Sequence, residues 1–181
     1  MHILMHICCA NCALFPLMSM HERGGTVTGF WSNPNIHPLT EYRLRLDAVR
    51  QLAAMRSLPM QYDEEYGLVE FVRAVAGRED ERCDYCYRVR LDATAARAKA
   101  LGLDGFTSSL LVSPYQRFDK IYALGIELQG QYDIEFIGED FRPGYRSGMQ
   151  MSRDLGFYRQ KYCGCIYSEM ERYAKNMQPE A

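Results

Sequence analysis

A short apolar run that ends in three thiols, Ile3-Leu4-Met5-His6-Ile7-Cys8-Cys9-Ala10-Asn11-Cys12, constrains this chain more than any other stretch. The run suits a buried strand and is too short for a membrane span or a signal-peptide core. The thiols fall where that strand hands over to a helix. In an open α/β sheet such junctions bind ligands, because the loop lies at the carboxyl edge and the helix start presents free N–H groups. Three cysteines there point to metal or redox chemistry, against the alternative of small hydrophobes packed in a core.

The other cysteines strengthen the first reading. Seven are present, as Cys8, Cys9 and Cys12, then Cys83 and Cys86, then Cys163 and Cys165. A cytoplasmic protein is expected, and a reducing cytosol disfavours a disulfide framework. Cys83 and Cys86, three apart at a helix start, share one side and meet the positive helix end. Cys163 and Cys165 face one way only in an extended segment or tight turn, and Gly164 permits a backbone that wraps a metal corner. Four thiolates satisfy a zinc ion or an iron–sulfur cluster; seven exceed one mononuclear site. Adjacent Cys8 and Cys9 need a bend, or two different roles, because neighbours on a strand point opposite ways.

The rest of the chain alternates strand and helix. Asn11 is the expected cap of a first helix bearing Leu14, Leu17 and Met18, with Pro16 tolerable only near its first turn. Thr26 to Trp31 reads as a strand and Ser32 to Pro38 as a stiff loop. Thr40 caps a long helix with Tyr42, Leu46, Val49 and Leu52 on one face, ending near Pro59. Met60 to Tyr62 is a short strand. The helix over Leu68 to Ala76 is expected to bury Leu68, Phe71, Val72 and Val75, with Gly77 as its stop. Arg78 to Arg82 reads as a solvated loop. A helix opened by Cys83 carries Leu91, Ala95, Ala98 and Leu101. Phe106 to Val112 is a strand, Asp119 to Leu128 a helix, and Ile134 to Ile137 a strand. The last helix spans Ile166 to Lys175, before a frayed tail over Gln178 to Ala181. This order implies a Rossmann-like parallel sheet with helices on both faces. One domain over 1–181 is expected, its sheet core in 1–137 and an irregular helical cap in 138–181 completing the metal site.

Net charge is −2, so contact with nucleic acid needs a local basic patch. Tyr145, Tyr158, Tyr162 and Tyr167 among Arg142, Arg146, Arg153, Arg159 and Lys161 interleave aromatics with bases, a pattern that suits RNA and almost as well a solvated surface. Among the histidines His37 is kept as a site candidate; His2, His6 and His21 read as packing or surface. No Gly-rich phosphate loop is present.

Five segments together resemble the QueH-type epoxyqueuosine reductases. They are His6 to Cys12; Asn33-Pro34-Asn35-Ile36-His37-Pro38 with Glu41-Tyr42; Arg82 to Tyr87; Ser109-Leu110-Leu111 with Ser113-Pro114-Tyr115; and Tyr158 to Cys165. Asn11 departs from the family's usual proline without removing a ligand. The resemblance implies an adenine-nucleotide hydrolase-like sheet and the last step of queuosine formation in tRNA, in which the epoxide oxygen leaves as water. It also implies a 4Fe–4S cluster beside a second, mononuclear iron. Coordination number then divides the thiols: Cys83, Cys86, Cys163 and Cys165 for the cluster, and Cys8, Cys9 and Cys12 for the second iron. Tyr115, Asp140 and Tyr158 are candidate proton donors, and Arg142, Arg146 and Arg159 candidate contacts to tRNA phosphates. The expected partners are tRNA carrying epoxyqueuosine and an electron donor, with no membrane. The rivals are a structural-zinc RNA-binding module and an iron–sulfur tRNA thiolase.

Overall fold

A computed structural model describes residues 1–174. Five strands form one parallel sheet in the order β3-β2-β1-β4-β5: β1 (His2–His6), β2 (Thr26–Ser32), β3 (Met60–Asp63), β4 (Gly105–Ser108) and β5 (Glu135–Phe136). The register runs Leu4 opposite Thr28 on one side and Phe106 on the other. Ile3, Leu4 and Met5 of the central strand are fully buried, as a strand covered by helices on both faces must be. The chain winds outward from β1 through β2 to β3, then returns to lay β4 and β5 on the opposite side. The strand order therefore reverses at β1 and β4, and a crevice opens beyond their carboxyl ends.

Seven helices cover this sheet among the described residues: α1 (Ala10–Glu22), α2 (Leu39–Arg56), α3 (Leu68–Val75), α4 (Arg82–Ala100), α5 (Phe118–Tyr132), α6 (Tyr145–Asp154) and α7 (Ile166–Tyr173). Several expected boundaries move. The side-chain cap of α1 is Cys9, whose Sγ accepts from the Cys12 N–H at 3.4 Å, because Asn11 spends its amide on a distant segment. Pro38, not Thr40, sits at the cap position of α2, after a cis His37–Pro38 bond, and makes no side-chain cap bond. The strand read over Phe106 to Val112 stops at Ser108. The Ser108 hydroxyl accepts from the Leu110 N–H at 3.1 Å and turns Ser109–Val112 into a 3₁₀ helix. In α3, Phe71 and Val75 are buried while Val72 faces solvent. Arg82 is not a loop residue: it opens α4, lies over the Tyr167 ring at 5.6 Å and pairs with Glu171. The end of the last helix at Lys175 and the tail from Gln178 lie outside the described residues.

Beyond β5 the chain folds back over the crevice. Helix α6 packs on α1, where the absence of a side chain at Gly144 admits the Phe15 ring. Residues 157–165 then form a strap across the sheet's carboxyl edge. Its anchor is Arg45, 2% exposed, which donates to the Tyr162 carbonyl at 3.0 Å and the Cys163 carbonyl at 2.8 Å. Tyr162 donates its hydroxyl proton to the His37 carbonyl at 2.8 Å, and the His37 N–H donates to the Gly164 carbonyl at 2.8 Å. Gly164 takes φ +154°, a backbone region that side chains disfavour, so the corner between Cys163 and Cys165 depends on it.

Candidate metal centre at the sheet's carboxyl edge

The Sγ atoms of Cys8, Cys9 and Cys12 lie within 4.8 Å of one another, and all three residues are buried. A bend at Cys8 turns its side chain to the same side as that of Cys9, so the two sulfurs stand 3.8 Å apart. One turn of α1 returns Cys12 to them. Ser109, from the turn after β4, holds the loop: its Oγ accepts from the Cys8 N–H at 3.0 Å and donates to Cys8 Sγ at 3.4 Å. The switch point of the sheet thus positions the first thiol directly.

The other thiols enter from α4 and the strap. Cys86 and Cys165 are buried and pack in one cluster with Phe71 and Val75; Cys83 is half-buried and Cys163 exposed. Burial pushes Cys83 up and Cys86 up to about 12, and Cys163 and Cys165 add to both shifts. The four are therefore electrostatic neighbours. They are not gathered as tightly as the first three, which form the one cluster of ligand-like atoms within 4.8 Å among the described residues.

Charge at the triad is shared unevenly. The Cys12 and Cys9 thiols beside it hold Cys8 well below the usual thiol range. Cys8 and then Cys9 push Cys12 well above it. The Cys12 contact lowers Cys9, but Cys8 and burial outweigh that contact and raise it to about 12. Negative charge on the triad is thereby favoured at Cys8. Two buried guanidiniums face this charge. Burial opposes the ionisation of Arg45 and Arg90, yet the thiols nearby, with Glu41 for Arg45, keep both cationic. Arg90 also donates to Cys86 Sγ at 2.8 Å, one helical turn behind it.

A cavity of about 470 Å³ opens onto this centre, lined by Cys8, Cys12 and Cys163 and by Arg159 and Lys161 from the strap. Tyr115 stands on its rim, 81% exposed, edge-on to Tyr145 at 6.0 Å between ring centres. Two other sequence candidates lie outside its lining. The Tyr158 hydroxyl donates to Glu41, and Asp140 is paired with Arg142 at 2.7 Å. Arg142 stacks on Phe118 at 4.4 Å, Arg146 is exposed on α6, and only Arg159 of the three candidate arginines lines the cavity. His37 is not in the clustered ligand group; its ring packs between Tyr66 and Phe71, with Nε2 3.1 Å from the Pro34 carbonyl. Sequence reasoning gave no role to Arg45 or Arg90. Each is a single charge among apolar helix positions, four residues after Glu41 and Cys86 respectively, a pattern that reads as a solvated charge until its partners are seen.

A parallel sheet with three clustered, buried thiols at its switch point defines an α/β protein with a thiol site that could hold a metal. Comparison with known proteins gives that class a family. The family model described as Epoxyqueuosine reductase QueH matches residues 3–171. Epoxyqueuosine reductase QueH of Dehalococcoides mccartyi is 36% identical, covering 98% of this chain and 97% of the relative. The Thermotoga maritima protein of the same name is 35% identical, covering 96% and 93%. The chain belongs to the epoxyqueuosine reductase QueH family. A solved structure described as a predicted subunit of tRNA methyltransferase from Methanocaldococcus jannaschii superposes with TM-score 0.59 over 97% of this chain and 88% of that one. At 13% identity that likeness shows the fold alone.

Proposed function

We propose that this chain reduces epoxyqueuosine in tRNA to queuosine, the epoxide oxygen leaving as water, as an oxidoreductase of the cytoplasm. The observation that carries this reading is the buried triad of sulfurs facing a cavity whose rim bears aromatic and cationic side chains. Removing an epoxide oxygen takes two electrons and two protons, and no ordinary side chain supplies the electrons.

The donors on hand fit the metals this chemistry needs. Three clustered thiols, two of which line the cavity, would hold a metal with fewer thiolates than a closed four-ligand site. That is the donor count of a metal that also binds substrate, and thiolates suit iron. A four-iron cluster takes one thiolate per iron, so its ligands stand further apart than those of a single ion. Cys83, Cys86, Cys163 and Cys165 are accordingly assigned to a 4Fe–4S cluster, and Cys8, Cys9 and Cys12 to a second iron. When bound, these irons would supply the electron pair and a Lewis-acid pull on the epoxide oxygen.

The chain's own residues supply the rest. Arg45 and Arg90, both buried, offset thiolate charge beside the cavity. Tyr115 is the proton donor to the departing oxygen, from the rim. Tyr158 and Asp140 act through their partners, Tyr158 by tying the strap to Glu41 and Asp140 by holding Arg142. Arg142, Arg146 and Arg159 take the tRNA phosphates. Residues 138–174 belong with the sheet in one domain as its cap. The electron donor is a separate redox partner.

Anaerobically purified protein tests this reading. A brown solution absorbing near about 400 nm, which turns over epoxyqueuosine tRNA when given a strong reductant, is expected. Colourless protein with stoichiometric zinc and no turnover would replace it with a zinc RNA-binding module. A requirement for ATP and a sulfur donor would replace it with a thiolase.

A further inference from the structure

Two glutamines that line the cavity aim their amide nitrogens at thiol sulfurs. Gln160 Nε2 lies 3.1 Å from Cys9 Sγ and 3.9 Å from Cys12 Sγ, and Gln116 Nε2 lies 3.2 Å from Cys163 Sγ. In each case a neighbour fixes which end of the amide faces sulfur. Asn11, 3% exposed, donates from one nitrogen to the Tyr158 carbonyl at 3.1 Å and to Gln160 Oε1 at 2.6 Å. A backbone carbonyl only accepts, so that end of Asn11 must be nitrogen, and the Gln160 atom beside it must be oxygen. The Ser152 hydroxyl donates to the other end of Asn11.

The second arm repeats this logic with different parts. The Arg117 N–H donates to the Tyr87 hydroxyl oxygen at 3.2 Å, which directs the hydroxyl proton to Gln116 Oε1 at 2.8 Å. The Gln116 nitrogen is left facing Cys163. Turning Gln160 over would set its N–H against the Asn11 donor, and turning Gln116 over would give up the bond that takes the Tyr87 hydroxyl proton.

We propose that Gln160 and Gln116 are the N–H donors that tune the sulfur ligands of the metal centre, with Asn11 and Tyr87 as the positioning residues that lock both amides in the donating sense. The proposal rests on the metal reading above. An N–H aimed at a ligating sulfur withdraws electron density and stabilises the more negative, reduced state, so it raises the reduction potential. A reversed amide would present its oxygen and do the opposite, which is why the aim of each glutamine matters.

Gln160→Leu, Gln116→Leu, Tyr87→Phe and the double variant Tyr87→Phe/Gln116→Leu test it without tRNA. Each is loaded anaerobically with iron, and its potential is read by spectroelectrochemical titration. Both leucine variants are expected to shift to more negative potential. Tyr87→Phe shifts the same way and no further than Gln116→Leu, and the double variant shifts no more than Gln116→Leu alone. Potentials equal to wild type in both leucine variants at equal iron content would overturn the proposal. Where Gln160→Leu fails to hold iron, cobalt(II) replaces it. A thiolate-to-cobalt band moved to lower energy supports the proposal, and an unmoved band overturns it. Failure of the reductase reading would show separately, as wild-type protein that loads iron but leaves epoxyqueuosine tRNA unchanged.

Discussion

Arg45 shows how much one buried side chain does here. It is ion-paired to Glu41 at 2.6 Å, both almost fully buried, while its remaining nitrogens hold two strap carbonyls. Truncating one partner strands the other's charge, so Arg45→Met should cost about 3–5 kcal/mol. Glu41→Gln/Arg45→Met, which removes both charges, should cost less; equal losses in urea denaturation would contradict this. His6 gives a pH signature. It is fully buried between Ser108 and Asn33, and burial, then Arg90, lowers it to about 4. An unfolded imidazole titrates near about 6.5. Between those values the unfolded chain binds the extra proton, so stability is lost as pH falls below about 6.5, by roughly 2 kcal/mol near pH 5. Denaturation midpoints near pH 7.5 and near pH 5 should differ in wild type and differ less in His6→Gln. The thiols were legible because their clustering has no packing explanation. Arg45 and Arg90 were not, because a single charge within an apolar helical face reads as solvated until the fold shows what it meets.

Among the elements, β1 and α1 could be read closely from sequence, since an apolar run followed by helical spacing leaves few alternatives. The strap over 157–165 could not, having neither helical nor strand period. Its path is set by bonds to residues more than a hundred positions away, such as the Asn11 amide and the Arg45 guanidinium. The same long-range use of Asn11 is why it does not cap α1. The 3₁₀ turn after β4 was hidden because Ser109–Val112 is wholly buried and apolar enough to pass for strand. The strap also carries the one candidate phosphate-binding arginine that lines the cavity. Arg159→Ala should weaken tRNA binding at low salt and reduce the slope of log affinity against log salt by about one. An unchanged slope in filter-binding or fluorescence titrations would remove Arg159 from the interface.

At the scale of the whole molecule, the order β3-β2-β1-β4-β5 sets Cys8 and Cys12 at one edge, and the return of the chain after β5 brings Cys163 to the same cavity. The sequence order of strands and helices was enough to expect a parallel sheet. A C-terminal cap completing the site was expected, but the path by which the chain returns over the crevice after β5 was not derivable from that order. Among the described residues no helix is long and apolar enough to cross a membrane. The central claim is that two sets of thiols at this edge hold iron in two different ways. Mössbauer spectra with iron and sulfide content, compared between wild type, Cys12→Ala and Cys163→Ala, test it most directly. Cys12→Ala should lose the lone iron and keep the cluster signal, and Cys163→Ala should lose or degrade the cluster. A Cys163→Ala protein with a complete four-iron cluster would contradict the account.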